Sequence, residues 1–387
     1  MAERVVVTGL GVVSSLGSSL DDFWSNLIEG NSAISEVDSF DSSKLQKHYG
    51  GEVKNFSLPK LSSAKDISFL PRTHQFAITA ANYALEDAGV KDSSAGVVLG
   101  TISSGEEFTE GHTNDKKQYP MYMATANLAN SLGLAGSAYT VSYACASGNY
   151  ALGLAYDRIK SKKEQIILAG AADFFSITNF IGFHRLFSIA PLRCQPFDKN
   201  RKGLIPAEGA GMLVLESLSS AKKRNAFIYG EIIGYGLSAD ATHPTIPSEK
   251  GILSCMRDAL ENARINVEDI DYINAHGTGT VKNDKAECRA IKKMFGKEKY
   301  KKIPVSSIKS MLGHAMGAAS AIEAITCMLT LKDNVIPPTI NYETPDPECD
   351  LDCVPNQARK KRVELILNNS FGFGGGNCSL VIARYQN

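Results

Sequence analysis

The sequence predicts an α/β protein built from two copies of one unit of strands and helices. Short segments recur in the same order at similar offsets in the two parts of the chain. The pairs are residues 84–88 with 259–263 (offset 175), Gly100 with Gly277 (offset 177) and Cys145 with His314, both expected at the start of a helix (offset 169). Landmarks that repeat in order at nearly constant spacing indicate an internal duplication.

The first copy alternates β-prone runs with helical runs. The expected elements are a strand at residues 4–8, a helix at 20–28, a helix at 75–88 and a strand at 97–100. Gly9 and Gly11 are expected to form the turn that closes the first strand. A dinucleotide-binding motif would require a third glycine where the chain has Ser14, so no such cofactor is expected.

Cys145 lies between a short apolar run at residues 138–144 and a helical run at 149–162. This spacing predicts a tight turn at the start of a helix, where unpaired N–H groups and the helix dipole stabilise a thiolate. The small flanking residues of the 144–148 segment would let a substrate carbonyl reach the sulfur. Cys145 is therefore a candidate nucleophile, expected to be partly ionised; the alternative is a small buried apolar residue.

Two histidines of the second copy each follow a predicted strand. His276 lies in the loop 274–280 and His314 closes the segment 306–314, and both stretches are rich in small residues. Catalytic groups of α/β proteins gather in such loops at strand ends. Lys309 precedes His314 by five residues in an otherwise small and apolar stretch, so if buried it would need polar partners. The alternative for Lys309 is a surface lysine.

Composition excludes several classes of function. The chain of 387 residues carries 41 basic and 41 acidic side chains, so no net field would attract nucleic acid or an anionic membrane. No apolar run approaches the roughly 20 residues of a membrane helix. The eight cysteines lack the pattern of a disulfide framework, which favours the cytoplasm. Cys349 and Cys353 lie beside Asp350 and Asp352, but no second cysteine pair or histidine pair completes a set of ligands, so no metal site is expected.

Four ordered motifs together resemble one known family. They are Ala-Cys-Ala-Ser-Gly at residues 144–148, the histidine loop at 274–280, the segment 309–319, and Asn-Ser-Phe-Gly-Phe-Gly-Gly at 369–375. In this combination the chain resembles the β-ketoacyl-acyl carrier protein synthases, closest to the type II elongating enzymes, over residues 5–382. The resemblance implies a thiolase-like fold with duplicated halves in five layers (α/β/α/β/α). We expect the halves to be residues 1–230, with the cysteine, and 231–387, with both histidines.

The resemblance also implies an activity and roles for particular residues. The activity is an acyl transfer to Cys145 followed by decarboxylative condensation with a malonyl thioester. The resemblance implies that His276 and His314 donate hydrogen bonds to the malonyl thioester oxygen, and that Lys309, with Glu323 as its partner, orders these histidines. It implies that the backbone N–H groups of Cys145 and Phe373 form an oxyanion hole. It also implies that the Phe373 side chain forms a gate to the acyl pocket. The enzyme itself would bind no cofactor.

The partners follow from the same resemblance. Substrates would arrive on the phosphopantetheine arm of an acidic acyl carrier protein. Thr278, Thr280 and Thr245 match the lining of the pantetheine tunnel, and Arg185 and Lys65 match residues that dock the carrier. The family usually dimerises through the half with the cysteine, so a homodimer or a heterodimer with a ketosynthase-like paralogue is expected.

Three departures from the family pattern bear on the substrate. The segment 103–124 is shorter than usual, Tyr143 occupies a position that is usually small or hydroxylic, and Gly376 replaces a common threonine. Fatty acid synthesis and a specialised polyketide or polyene pathway therefore stay open. Other possible functions are a non-catalytic partner subunit that determines chain length, and a thiolase or thioester hydrolase with Cys378 as a second cysteine.

Overall fold

The computed structural model describes residues 3–43, 45–61, 63–103 and 119–386. The strands in these ranges are β1 (Val5–Ser14), β2 (Ser35–Glu36), β3 (Tyr49–Gly50), β4 (Gly96–Gly100), β5 (Ala138–Val141), β6 (Ile166–Asp173), β7 (Gly209–Ser217), β8 (Gly230–Ala239), β9 (Tyr272–Asn274), β10 (Val305–Ser306), β11 (Val335–Ile336), β12 (Arg359–Lys360), β13 (Leu365–Phe371) and β14 (Gly376–Ala383). The helices are α1 (Leu20–Glu29), α2 (Arg72–Ala88), α3 (Tyr122–Leu132), α4 (Ser147–Lys160), α5 (Ile177–Arg185), α6 (Leu218–Lys223), α7 (Glu249–Ala263), α8 (Val281–Lys299), α9 (Lys309–Leu312) and α10 (Ala319–Asp333).

Ten of the strands form one sheet with the order β10-β9-β13-β14-β8-β1-β7-β6-β4-β5. β1 and β8 pair antiparallel at its centre. On one side the order outward from this pair is β1-β7-β6-β4-β5, and on the other side it is β8-β14-β13-β9-β10. Counted along the chain within each set of five, both sides follow the order first, fifth, fourth, second and third. The repeated strand order confirms the duplication that the sequence predicts. β8 begins at Gly230, so the expected boundary between residues 230 and 231 falls at the start of this strand; the boundary itself stays a prediction.

The apolar contacts divide the molecule into layers. One cluster joins α2 and α3 to the outer face of the first half of the sheet, and another joins α7 and α8 to the outer face of the second half. The largest cluster packs α4 and α10 between the two halves, with Leu152 and Ile322 among its fully buried members. The result is the five-layer α/β/α/β/α arrangement. The two central helices are those that follow Cys145 and His314.

The first strand corrects the sequence analysis. β1 continues through Gly9 and Gly11 to Ser14 instead of ending in a turn at the glycines. A Cβ atom at Gly9 would lie 2.3 Å from the Ala84 carbonyl oxygen, and one at Gly11 would lie 1.9 Å from the Ala80 carbonyl oxygen. These glycines therefore allow α2 to pack closely against the strand, which is a requirement that local turn statistics do not reveal.

The other predicted elements of the first copy are present with small shifts in their ends. β5 stops at Val141, and α4 begins at Ser147 rather than residue 149. In the second copy, α10 begins only at Ala319, after a 3-10 turn at Met316–Ala318, so His314 precedes the helix rather than starting it. Among the described residues, no helix combines the length and the apolar character needed to cross a membrane.

Candidate active site

Cys145 lies on a sharp turn between β5 and α4. The preceding residue, Ala144, has φ +46°, a left-handed conformation that costs a non-glycine residue about 1–2 kcal/mol. Ser147 holds this turn, since its hydroxyl accepts the Tyr143 N–H at 2.8 Å and donates to the Ala144 carbonyl at 2.7 Å. The turn directs the chain into the helix two residues after the sulfur.

The other half of the molecule fixes the turn in place. The Ser370 hydroxyl on β13 donates to the carbonyl oxygen of Cys145 at 2.9 Å. Asn149 and Asn368 are joined twice, by the side-chain amide of Asn149 to the Asn368 carbonyl at 3.2 Å and by the side-chain amide of Asn368 to the Asn149 side-chain oxygen at 3.0 Å. All four residues are buried, so these bonds fix the position of Cys145 relative to the second half.

The structure brings both predicted histidines to the cysteine. One potential ligand atom from each of Cys145, His276 and His314 lies within 4.8 Å of the other two. The two imidazole rings are 5.5 Å apart and nearly perpendicular. Sulfur and imidazole donors at such distances also suit zinc, so the expectation of no metal site stays a prediction.

The hydrogen bonds of His314 indicate which of its nitrogens carries a proton. The Met316 N–H donates to Nδ1 at 3.1 Å, which assigns the proton of the neutral ring to Nε2. Burial lowers the pKa of His276 and of His314 well below the usual value, and the nearby charge of Lys309 lowers both further. Both rings are therefore neutral at pH 7 and suited to donate a hydrogen bond rather than to transfer a proton.

Lys309 lies beneath the histidines with no exposed surface, which excludes the alternative of a surface lysine. Its Nζ donates to the His276 carbonyl oxygen at 2.7 Å and forms an ion pair with Glu323. Burial raises the pKa of Glu323 to about 7, against the opposing effect of the Lys309 charge. The pair thus links the backbone of the first histidine loop to α10, in agreement with the partnership that the resemblance implies.

Glu287 on α8 was not identified from the sequence. Its carboxylate accepts the N–H groups of His276 and Gly277, each at 2.9 Å, and it is fully buried. Burial raises its pKa to about 7. The sequence signal for this residue was weak, because a glutamate eleven residues after a histidine on a polar helix looks like any solvated residue.

The protonation state of Cys145 differs from the sequence expectation of a partly ionised thiol. Burial raises the pKa of Cys145 to about 11, although the Lys309 charge and the N–H groups of Phe373 and Cys145 itself favour the thiolate. The free-energy cost of placing a negative charge on the buried sulfur exceeds the stabilisation of the thiolate by the start of α4. The same two N–H groups lie beside the sulfur, where the resemblance places the oxyanion hole.

A pocket opens above the cysteine. It is lined by Cys145, His276, His314, Phe373, Thr245, Thr278 and Thr280, together with Phe183, Leu204, Pro247, Asn283 and Phe371. All three predicted tunnel threonines are therefore in its wall, and the hydroxyls of Thr278 and Thr280 lie 2.9 Å apart. Phe183 and Leu204 were missed because they belong to the first half, away from every recognised motif.

Phe373 lies half-buried at the inner end of this pocket. Its ring centroid is 6.0 Å from that of Phe183. Gly374 follows with φ +83°, a conformation that favours glycine, and has open space where a Cβ would be. The role of Phe373 as a gate stays a prediction.

The two residues predicted to dock a carrier protein are both on the surface but in different surroundings. Arg185 ends α5, two residues after the pocket residue Phe183. Lys65 is absent from the pocket lining, and its Nζ donates to the side-chain oxygen of Asn130 at the end of α3, at 2.9 Å. The docking role of each stays a prediction.

The two substitutions noted beside the cysteine are coupled. Tyr143 stacks on Tyr150 with ring centroids 3.9 Å apart and planes within 6°. A Cβ atom at Gly376 would lie 3.0 Å from the Tyr143 ring, so a side chain at 376 would crowd the large residue at 143. Glu106 and Glu107, in the shortened 103–124 segment, lie outside the described residues.

Comparisons with known proteins agree with this geometry. The model of the beta-ketoacyl synthase N-terminal domain matches residues 2–221, and that of the C-terminal domain matches residues 229–343. The chain is 39% identical to 3-oxoacyl-(acyl-carrier-protein) synthase 2 of Coxiella burnetii, over 98% of both chains. It is also 39% identical to nodulation protein E of Rhizobium sp. strain N33, over 98% of this chain and 99% of the relative.

Solved structures show the same likeness. The structure of the ishigamide ketosynthase/chain length factor superposes with a TM-score of 0.95 at 38% identity, over the full length of both chains. A type II polyketide synthase ketosynthase, solved in complex with its acyl-carrier protein, superposes with a TM-score of 0.90 at 32% identity over the full length of both. The chain therefore belongs to the beta-ketoacyl synthase family of condensing enzymes.

Proposed function

We propose that the chain catalyses decarboxylative Claisen condensation of an acyl group with malonyl-acyl carrier protein, giving β-ketoacyl-acyl carrier protein. One observation carries this proposal. The sulfur of Cys145 and the rings of two neutral histidines converge within 4.8 Å at the inner end of a pocket. A nucleophile beside two hydrogen-bond donors meets the needs of acyl transfer and of enolate formation.

Acyl transfer comes first. The sulfur of Cys145 attacks the thioester carbonyl of the acyl-carrier, a carbon–sulfur bond to Cys145 forms, and the bond to the pantetheine sulfur breaks. The thiol proton leaves with the pantetheine sulfur. The N–H groups of Cys145 and Phe373 hold the negative oxygen of the tetrahedral intermediate, and each such donor is worth about 3 kcal/mol of barrier.

Condensation follows on the malonyl thioester. The bond to its carboxylate breaks, carbon dioxide leaves, and the electron pair becomes an enolate whose oxygen accepts hydrogen bonds from His276 and from Nε2 of His314. The enolate carbon attacks the acyl-cysteine carbonyl, and the carbon–sulfur bond to Cys145 breaks. The sulfur leaves as a thiolate and takes up a proton from water, which restores the Cys145 thiol. Lys309, Glu323 and Glu287 position the histidine loops and do not touch the substrate.

The Cys145→Ala variant tests the proposal. We expect it to form no acyl-enzyme and no β-ketoacyl product, measured by mass spectrometry of the protein and of the carrier. Cys255→Ala is the matched control, since Cys255 is also buried and free but lies on α7, outside the pocket lining. A Cys145→Ala variant that elongates a malonyl-carrier substrate at the wild-type rate would refute the proposal.

A non-catalytic, chain-length-determining partner subunit is the second candidate function. One structural neighbour is a ketosynthase/chain length factor, so this second candidate stays open. The convergence of Cys145 with both histidines favours catalysis, because a subunit that only shapes a pocket needs no nucleophile. A Cys145 that iodoacetamide fails to label at pH 9, with denatured protein as the positive control, would favour the second candidate.

The pathway is part of the proposal only in outline. Relatives named for 3-oxoacyl-acyl carrier protein synthase and the type II polyketide ketosynthase support fatty acid and specialised polyketide synthesis alike. Competition between saturated and polyunsaturated acyl-carrier substrates for the wild-type enzyme separates them. Preferential loading of the polyunsaturated chain on Cys145 assigns the polyene pathway.

We further propose that the chain dimerises, with itself or with a paralogue, through the half that contains the cysteine. β5 is the outermost strand of the sheet on that side and is exposed or half-buried along its length, whereas β10 at the other edge is buried. Met121 and Tyr122 are exposed at the start of the adjacent α3. We expect Met121→Glu/Tyr122→Glu to lower the sedimenting mass to that of one chain, while Phe227→Glu does not.

We also propose that the protein is located in the cytoplasm. All eight cysteines are unpaired and buried, as expected for a protein that folds in a reducing compartment. The enzyme itself needs no cofactor, since both substrates arrive as thioesters on phosphopantetheine.

A further inference from the structure

The loop that joins β13 to β14 carries Phe373 to the active site. We call residues 372–376 the Phe373 loop. Its ends are joined, since the Gly372 N–H donates to the Gly376 carbonyl at 2.8 Å. The Phe373 N–H lies beside the sulfur of Cys145, and the Phe373 side chain lines the pocket. The position of this loop therefore decides where the N–H group stands relative to the reacting sulfur.

Two backbone hydrogen bonds hold the middle of the Phe373 loop. The Gly374 N–H donates to the Pro244 carbonyl at 2.7 Å, and the Asp240 N–H donates to the Gly375 carbonyl at 2.9 Å. Both bonds run to the segment that follows β8. The two ends of the loop have a different support.

Tyr143 supports both ends of the Phe373 loop. A Cβ atom at Gly372 would lie 3.0 Å from the Tyr143 carbonyl oxygen, and a Cβ atom at Gly376 would lie 3.0 Å from the Tyr143 ring. Both distances are shorter than ordinary van der Waals contact, so the absence of side chains at the two ends lets the loop lie this close to Tyr143. One end of the loop thus rests on the backbone of Tyr143 and the other on its ring.

The Tyr143 ring is itself held in place. It stacks on Tyr150 of α4 with ring centroids 3.9 Å apart, and the Ser147 hydroxyl accepts the Tyr143 N–H at 2.8 Å. The Tyr143 side chain is 49% exposed and is not among the described residues that line the pocket. Tyr143 therefore acts on the reacting atoms through the residues that it supports rather than by touching the substrate.

We infer that Tyr143 is a positioning residue for acyl transfer: its ring, stacked on Tyr150, holds the Phe373 loop so that the Phe373 N–H reaches the oxyanion formed at Cys145. This inference rests on the proposed function, because that oxyanion forms only if Cys145 accepts an acyl group. A donor stabilises a developing oxyanion from a distance of about 2.7–3.1 Å. A displacement of about 1 Å can cost about 10²-fold in rate, so the support of the loop sets the rate of acyl transfer.

Acylation by a small thioester tests the inference. The probe is the hexanoyl thioester of N-acetylcysteamine, and mass spectrometry of the acyl-enzyme gives the acylation rate at several thioester concentrations. We expect Tyr143→Ala to lower the maximal rate about 10–100-fold and to change the half-saturating concentration by less than about twofold, because the ring does not touch the substrate. Tyr143→Phe keeps the ring and should acylate within about twofold of the wild-type rate. Equal loss in the two variants would overturn the inference.

Gly376→Ala tests the same support from the side of the loop. Gly376 has φ −77°, which alanine adopts without strain, so the added Cβ acts through its 3.0 Å approach to the Tyr143 ring. We expect Gly376→Ala to lower the acylation rate of the wild type and to have little effect on that of Tyr143→Ala. Equal effects in the two backgrounds would overturn the inference, since the ring and the loop would then act independently.

The matched control is Tyr139→Ala. Tyr139 is another exposed tyrosine, four positions before Tyr143, and its ring packs against Arg158 rather than the Phe373 loop. Its acylation rate should stay within about twofold of wild type. A Tyr143→Ala variant that acylates as fast as this control would overturn the inference. A loss of rate that occurs only together with a change in sedimenting mass would also overturn it, since the ring would then act through a subunit contact. A wild-type enzyme that is acylated but does not condense a malonyl thioester refutes the proposed function alone.

Discussion

Two turns occupy equivalent positions in the duplicated halves and carry different chemistry. The Cys turn, residues 143–147, places Cys145 after Ala144 with φ +46°, and the His turn, residues 312–316, places His314 after Gly313 with φ +83°. Each therefore presents its functional side chain directly after a left-handed residue. The Cys turn enters its helix within two residues, whereas a 3-10 turn delays α10 in the His turn. The two turns therefore share a positive φ before the functional residue and differ in the path that leads into the helix.

Different buried charges lie near the two turns. Near the Cys turn, one oxygen of Asp173 accepts four hydrogen bonds from residues 101–103, and its negative charge disfavours a thiolate at Cys145. Beneath the His turn, the Lys309 charge favours the thiolate and adds to the burial that lowers the pKa of both histidines. The second half thus supplies the cation that favours ionisation of the nucleophile of the first. Variants that change the residues of one turn at a time test the separate contributions of the two turns.

The largest expected effect is on the ion pair beneath the His turn. Lys309→Met leaves Glu323 without its partner in the core, which typically costs about 3–5 kcal/mol of unfolding free energy. Urea denaturation measures the loss. The double variant Lys309→Met/Glu323→Leu should recover most of the stability while condensation stays low, because the His276 carbonyl still lacks its donor.

The control for this variant is Lys301→Met. Lys301 is exposed and lies 3.8 Å from Asp350, so its loss should change the unfolding free energy by less than about 1 kcal/mol. A Lys309→Met protein as stable as the control would show that the buried pair does not support the His turn.

His314→Ala is expected to separate the two reaction steps. Loss of one donor to a developing oxyanion costs about 3 kcal/mol, so release of carbon dioxide from malonyl-carrier should fall about 10²–10³-fold. Acylation of Cys145 uses the other donors and should change much less, as mass spectrometry of the acyl-enzyme would show. His48→Ala, outside the pocket lining, should leave both steps unchanged. Equal loss of both steps would contradict the assignment of His314 to decarboxylation.

The protonation of Cys145 predicts a pH dependence. Its pKa is raised to about 11, so the thiol is protonated at neutral pH and the thiolate fraction grows as the pH rises. Alkylation of Cys145 by iodoacetamide should therefore accelerate about tenfold per pH unit from pH 7 to pH 10, without a plateau. Asp173→Asn removes a negative charge and should shift this profile to lower pH. A plateau below pH 8 in the wild type would show that the turn ionises the thiol.

These contrasts also mark what the sequence could predict. The duplication, the helix after Cys145 and the convergence of Cys145, His276 and His314 followed from local patterns and ordered motifs. The ionisation of Cys145 did not, because the helix start is visible in the sequence while the burial that outweighs it depends on the packed second half. Glu287 and Phe183 were missed for the same reason, since only tertiary contacts bring them to the site. Gly9 and Gly11 were misread because their constraint is the backbone of a distant helix.

The smallest expected effects come from substitutions at Gly313 and Ala144, the two residues with positive φ that precede His314 and Cys145. A Cβ atom at Gly313 would lie 2.9 Å from both the Ala207 Cβ and the Ile205 carbonyl oxygen, so Gly313→Ala should cost about 1–3 kcal/mol of unfolding free energy. Ala144→Gly removes left-handed strain from the folded chain but adds entropy to the unfolded chain. These terms oppose each other, so its effect should stay below about 1 kcal/mol. Urea denaturation of both variants measures the difference. A comparable loss for Ala144→Gly would mean that its methyl group makes a stabilising contact, and the Cys turn would then depend on packing as well as on Ser147 and Ser370.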